Sequence, residues 1–171
     1  GFDIRIGKLE IRRLELARAV TGKPQVGRLS GSADIRSGRA LIALDGALQG
    51  GDWLRVKLDA EPDGNRFDLD VRASAPANGL LPALFGSKRP LQLIVEGDGS
   101  WTRWRGTAAM TTSGRPTLRL ALAADEGRYR LGGKLAPAPF LKGKLQRLTT
   151  PVIDVRGQGT FADRQLDGEL R

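Results

Sequence analysis

Apolar and polar residues alternate with a period of two along most of this chain. In one clear stretch Leu54, Val56 and Leu58 alternate with Arg55 and Lys57. Because successive side chains of a strand point to opposite faces of a sheet, this alternation predicts strands with one apolar and one polar face. The predicted strands cover residues 54–60, 67–73, 91–96, 104–110, 117–124, 129–135 and 152–157.

Turn-forming residues and two leucine-rich segments interrupt the alternation. Residues 62–65 (Pro-Asp-Gly-Asn) predict a tight turn that joins its flanking strands as an antiparallel hairpin. Residues 2–16 alternate as well, and the pair Arg12 and Arg13 predicts a bulge or turn within them. Two short amphipathic helices of two turns are predicted, with apolar stripes formed by Leu80, Leu84 and Phe85 and by Leu141, Leu145 and Leu148. We expect these helices either to plug or cap the sheet or only to pad the connection between strands.

The sequence also repeats itself over a long period. Residues 95–101 (Val-Glu-Gly-Asp-Gly-Ser-Trp) and 155–161 (Val-Arg-Gly-Gln-Gly-Thr-Phe) share a valine, two glycines, a hydroxyl and an aromatic residue. Upstream, Pro76 corresponds to Pro137, 61 positions later. Self-similarity at a fixed long period is typical of repeat architectures. We therefore interpret 1–171 as a single segment with a degenerate repeat at about 1–50 and further repeats at about 51–115 and 116–171.

The two glycines of this motif do not indicate a nucleotide site. Gly97 and Gly99 lack the third glycine and the following helix that a dinucleotide-binding fingerprint requires. An aromatic residue follows in both copies, so we interpret the glycines as turn or bulge positions. The neighbouring Trp101 and Trp104 are interpreted as packing residues rather than as a platform for stacked bases, and no nucleic acid is expected as a partner.

The composition narrows the candidate functions further. The chain has a net charge of +9, no His and no Cys. The absence of His excludes histidine-based triads and zinc sites, and the absence of Cys excludes disulfides and thiolate sites. An excess of arginine over lysine is found in proteins that bind nucleic acid or an anionic lipid surface, and also in proteins from GC-rich genomes. The charges do not cluster along the sequence, so we favour the compositional explanation. We expect a protein that is not an enzyme and that uses no cofactor.

An all-β fold follows from these patterns. Strands that are apolar on one side must bury that side, and the predicted helices are too short to cover it. We therefore expect a curved antiparallel sheet that folds over its own apolar face, closing on itself or forming an open groove.

Three stretches of the chain resemble a known family. Residues 14–22, 79–86 and 97–106 are similar to the AsmA-like family, and within it to the TamB-type subunits of the translocation and assembly module of Gram-negative bacteria. The resemblance implies a β-taco groove in the periplasm that conducts phospholipid between the inner and outer membranes. It further implies an inner-membrane anchor and a TamA-type outer-membrane barrel partner, both engaged by other parts of a longer chain. The present chain is then expected to be an interior segment of the groove.

The resemblance assigns the apolar positions of the strands to the lining of a lipid groove that holds phospholipid acyl chains. The expected lining residues are Leu54, Val56, Leu58, Phe67, Leu69, Val71, Leu91, Leu93, Val95, Leu118, Leu120, Leu122, Tyr129, Leu131, Ile153 and Val155. In one alternative the sheet edges are the functional surface. The chain is then a periplasmic scaffold or chaperone that accepts strands of outer-membrane β-barrel proteins together with a TamA-type partner.

Overall fold

The computed structural model describes residues 4–17, 24–141, 151–160 and 165–170, with the last range described by its backbone pairing. Eleven strands form one antiparallel sheet in which each strand pairs with its neighbours in sequence. The strands are β1 (Ile4–Leu16), β2 (Gln25–Arg36), β3 (Arg39–Leu48), β4 (Trp53–Glu61), β5 (Arg66–Ala75), β6 (Leu91–Gly99), β7 (Arg103–Thr112), β8 (Arg115–Asp125), β9 (Arg128–Leu135), β10 (Ile153–Thr160) and β11 (Gln165–Leu170). The sheet is open, because β1 and β11 lie at its two edges.

The predicted all-β, antiparallel architecture is confirmed, and a strand covers each range that the alternation predicted except for residue 152, which precedes β10. The predicted bulge in the first strand is also present, since the pairing of β1 with β2 shifts between Ile11 and Leu14. A second shift, between Ile6 and Leu9, was not predicted. The turn at 62–65 is closed by a hydrogen bond of 3.0 Å from the Asn65 N–H to the Pro62 carbonyl.

The two ends of the sheet differ in how their strands are joined. At the turn end, short turns such as Ser37-Gly38 and Glu126-Gly127 have positive φ at both positions, which matches the twist of a tight hairpin. At the opposite end, the connector end, the longer segments 76–90 and 136–152 link β5 to β6 and β9 to β10. Residues 142–150 of the second connector lie outside the described ranges. A two-residue turn, Ser113-Gly114, also joins β7 to β8 at the connector end, so the long segments are insertions at two of the links there.

The two predicted helices are not confirmed. In the first connector only one helical turn forms, α1 (Leu80–Leu84), and it packs through Pro82, whereas Leu84 of the predicted stripe is 69 % exposed. A helix of five residues is too short for residues four apart to define a buried face, and Gly86 at φ 66° ends it. The second stripe lies mostly outside the described ranges, which show a 3₁₀ turn at Ala138–Phe140. No helix within those ranges is long and apolar enough to cross a bilayer.

The buried core lies at the connector end. Ala75, Leu91 and Met110 are at most 3 % exposed there, and Pro82 of α1 is fully buried. The two connectors meet, because the rings of Phe85 and Phe140 are 6.5 Å apart between centroids. The described parts of these connectors therefore cover one end of the sheet, and most positions elsewhere on it are half-buried or exposed.

A buried carboxylate fixes the first connector to the sheet. Asp52, between β3 and β4, is 7 % exposed, and its Oδ1 accepts a hydrogen bond of 3.1 Å from the N–H of Leu81. This N–H belongs to the first turn of α1, whose amides have no partner inside the helix. Asp52, in the link between β3 and β4, thus supplies a hydrogen-bond acceptor to the first turn of α1.

Arginine–aspartate pairs lie on the polar face of β2–β5, some between strands and some within one strand. Arg39 of β3 donates two hydrogen bonds to Asp59 of β4, at 2.8 and 2.6 Å. Arg72 of β5 donates two to Asp70 on the same strand, at 3.0 and 3.3 Å. Hydrogen bonding from Arg39 lowers the pKa of the Asp59 carboxyl, and hydrogen bonding from Arg36 lowers the pKa of Asp34.

The Asp59 pair predicts a pH-dependent part of the stability. A carboxyl whose pKa is lower in the folded than in the unfolded chain stabilises the fold above its ordinary pKa of 3.8, and this contribution is lost as the pH falls through the folded value. We therefore expect the wild-type chain to be slightly more stable than Asp59→Asn at neutral pH, with the difference vanishing well below pH 3.8. Urea unfolding across this pH range measures it, and a difference independent of pH would contradict the explanation.

Candidate functional site

The register of the sheet places the apolar positions of successive strands side by side. Directly opposed residues of an antiparallel pair lie on the same face, so rows of partners can be followed across the sheet. One row crosses ten strands through Leu9, Gly31, Leu44, Val56, Val71, Val95, Ala108, Leu120, Gly133 and Val155. This row contains no polar side chain. We call this side of the sheet the apolar face, and the opposite side the polar face.

The expected lining residues all occupy the apolar face in this register. In the structure the apolar face continues over the N-terminal strands, whose residues are not among the expected lining residues. The added positions include Ile4, Ile6, Ile11, Leu29, Ile35 and Ile42. Their alternation was visible in the sequence, but only the strand pairing shows that they continue the same surface.

Most of the apolar face is uncovered in the part of the chain that the structure describes. Most of its larger side chains are half-buried or exposed, with Leu54 at 44 % and Ile6 at 40 % exposure, whereas small residues such as Ala60 and Ala108 are buried. Polar residues enter the face at its connector end, where Gln25 and Thr112 are both buried. An apolar surface of this extent marks a site that binds another molecule or another part of an assembly.

Trp104 of β7 lies flat across two glycines of the apolar face. A Cβ atom added to Gly97 would come within 2.1 Å of the Trp104 ring, and one added to Gly106 within 2.4 Å. These two glycines are register partners in β6 and β7, so together they form the floor under the indole. The indole Nε1–H is buried without an acceptor among the described residues.

The expectation that Gly97 and Gly99 mark a turn or bulge is therefore wrong for Gly97. Both residues lie inside β6, in regular pairing with Gly106 and Trp104 of β7. Gly99 has φ 143°, a conformation that favours glycine. Position 97 requires glycine because the Trp104 ring occupies the space that a Cβ atom would need. The sequence contains both residues, but their contact depends on the register of two strands.

Aromatic residues surround a cavity at the turn end of the apolar face. The Phe67 ring lies 4.8 Å from that of Trp101 and 6.0 Å from that of Trp104, between centroids. Together with Tyr129 and Leu131 these side chains line a cavity of about 330 Å³. This volume lies at the lower end of the range for small-molecule sites. As the sequence predicted, the tryptophans pack against neighbouring side chains.

Compared with protein-family models, curated proteins and solved structures, the chain shows no significant match. The geometry of the apolar face and the residues that form it are the observations that bear on its function.

Proposed function

We propose that this chain is a non-enzymatic segment of a hydrophobic groove that conducts phospholipid between two membranes. The observation that carries the proposal is the uncharged row of apolar side chains, which continues from strand to strand without a break. Removing a CH₂ group from water gains about 0.8 kcal/mol, so such a surface holds acyl chains without specific polar contacts.

In the middle of the apolar face, the uniformity of the surface favours transport over storage. A lipid that moves along a surface must leave each position as readily as it enters, and a single deep site would retain it. In the middle of the face, Val56, Val71 and Val95 are partners in adjacent strands, and all three are half-buried. Adjacent positions therefore offer an acyl chain nearly equivalent contacts.

The resemblance to TamB-type proteins extends this proposal to a cellular setting. In that setting the segment lies in the periplasm of a Gram-negative bacterium, within a protein anchored in the inner membrane, and supports outer-membrane biogenesis. A TamA-type barrel partner would contact other parts of the full-length chain. We propose the sheet to be curved around its apolar face, as a groove of this kind requires.

The scaffold alternative receives less support from the edge strand β1. Two bulges interrupt its pairing with β2, and basic residues such as Lys8, Arg12 and Arg13 lie at the irregular positions. Bulges and charged side chains are features that protect an edge strand from pairing with a further strand. The apolar face is therefore the better candidate for the working surface.

Photo-cross-linking to phospholipid tests the proposal. A photoreactive amino acid is placed at Leu29, Val56 or Val95 of the apolar face, and lipid adducts are measured by mass spectrometry after incubation with vesicles. The matched controls are the next residues in sequence, Ser30, Lys57 and Glu96, which lie on the polar face. We expect adducts at all three apolar positions and few at their neighbours. Labelling at a single apolar position would indicate a local site, and equal labelling of the two faces would contradict the groove.

A further inference from the structure

The charges of the sheet are distributed unevenly between its two halves. Strands β3–β6 contain five basic and seven acidic residues. Strands β7–β10 contain eight basic residues and two acidic ones, Asp125 and Asp154. The basic residues of this second half are Arg103, Arg105, Arg115, Arg119, Arg128, Arg130, Lys134 and Arg156. The expectation that charges do not cluster is therefore wrong: positive charge is concentrated in residues 103–160, and the fold places it on four adjacent strands.

The two halves of the sheet also differ in how many of their arginines form ion pairs. The arginines of β3–β5, including Arg39, Arg55 and Arg72, all pair with a carboxylate. Within the described ranges, Arg105, Arg130 and Arg156 form no ion pair. Their guanidinium groups are therefore open to a ligand in this part of the chain, with Asp98 and Glu169 as the register partners of Arg105 and Arg156.

These three arginines surround a recess on the polar face. In the register, Arg105 and Arg130 flank Ala123, and Ala121 lies beside Gly132, which in turn pairs with Arg156. Alanine and glycine leave a depression between the longer side chains, and the resulting recess has a volume of about 760 Å³. We call it the cationic recess. It lies on the opposite side of the sheet from the apolar face.

We propose that the cationic recess binds the phosphate groups of an anionic phospholipid surface. The planar guanidinium presents paired donors that match phosphate oxygens, and the Ala/Gly floor leaves space for phosphate groups beside the three arginines. Because the recess and the apolar face lie on opposite sides of the sheet, this inference goes beyond the proposed groove and does not depend on it.

The other side chains of the polar face favour a phosphate layer over a protein or nucleic acid. On β7–β10 the polar face presents small, hydroxyl or charged residues, for example Thr107, Ala109 and Ala121, and no large aliphatic or aromatic anchor among the described positions. Stable protein interfaces are centred on such anchors, and single-stranded nucleic acid stacks on aromatic rings. A layer of lipid headgroups requires only the positive charge.

Binding to vesicles tests the assignment. The full chain is sedimented with phosphatidylcholine vesicles that contain either no anionic lipid or phosphatidylglycerol at a fixed fraction. We expect phosphatidylglycerol to strengthen binding and added salt to weaken it. The triple variant Arg105→Gln, Arg130→Gln, Arg156→Gln should lower the phosphatidylglycerol-dependent affinity on the order of a hundredfold, because each basic residue near an anionic surface contributes about fivefold.

The matched control is the triple variant Arg5→Gln, Arg28→Gln, Lys57→Gln. It removes the same charge from positions on the polar face of β1, β2 and β4. We expect this control to lose less than about fivefold. Equal losses in the two variants, or binding by the wild-type chain that does not depend on phosphatidylglycerol, would overturn the proposal. Tighter binding of the wild-type chain to double-stranded DNA or to a polyglutamate peptide than to the anionic vesicles would also overturn it.

Discussion

The variant Val56→Asp is expected to bind phospholipid at least about tenfold more weakly than the wild-type chain. Val56 lies in the middle of the apolar face, between Leu44 of β3 and Val71 of β5. An aspartate there would place an unpaired charge against an acyl chain, at a cost of about several kcal/mol unless water enters. Val56 is only half-buried, so the carboxylate can reach water when no lipid is bound, and the sheet should still form. We expect the same effect at Leu69, Leu93, Leu120 and Val155.

Native mass spectrometry and a fluorescent-lipid binding assay measure this loss. Lys57→Gln is the control, because Lys57 is the next residue in sequence, lies on the polar face and forms no ion pair among the described residues. Arg72 is less suitable, since it pairs with Asp70. A folded Val56→Asp protein that binds lipid as well as the Lys57→Gln control would remove the support for the groove.

The variant Gly97→Ala is expected to destabilise the fold by about 1–3 kcal/mol, although it adds a single methyl group. The added Cβ would lie 2.1 Å from the Trp104 ring and 2.6 Å from the carbonyl oxygen of Arg105. The ring can turn only by leaving its place on the apolar face, and the carbonyl belongs to the neighbouring strand. The strain therefore has to be relieved by a shift of β6 against β7.

Gly132→Ala is the matched control for this substitution. Gly132 also lies inside a strand, has an ordinary φ, and would place its Cβ in open space. At such a position alanine is neutral or stabilises by up to about 1 kcal/mol. Urea unfolding of both variants provides the test, and equal stabilities would show that the contact between Trp104 and Gly97 does not restrict the sheet.

The sequence predicted the structure best where the strand preference of a local segment agrees with the burial of its apolar residues on one side of the sheet. The alternation of Leu54, Val56 and Leu58 with charged residues predicts both a strand and the face that it buries. Because each strand pairs with its neighbours in sequence, the apolar residues of one strand continue the face of the next. The fold class and the apolar positions of β4–β10 could therefore be predicted, whereas the continuation of the face over β1–β3 could not.

The remaining features depend on contacts that no local pattern encodes. The helical stripe of Leu80 and Leu84 did not specify a helix of two turns, because a carboxylate from Asp52 and the burial of Pro82 determine how that connector packs. The cationic recess brings together residues as distant as Arg105 and Arg156, which are dispersed in the sequence. Its position becomes visible only when four strands are aligned.

The strict chain order of the strands also bears on how such a sheet changes length during evolution. Each strand adds about 4.8 Å across the sheet, so duplication of one hairpin lengthens it by roughly 10 Å. Every existing pair keeps its partner when that happens, because no strand crosses over another. An even number of added strands also preserves the end at which the connectors emerge, whereas a single added strand would reverse it for everything that follows. Addition of whole hairpins is therefore favoured over addition of single strands. It allows the sheet to lengthen in steps while its apolar and polar faces stay the same.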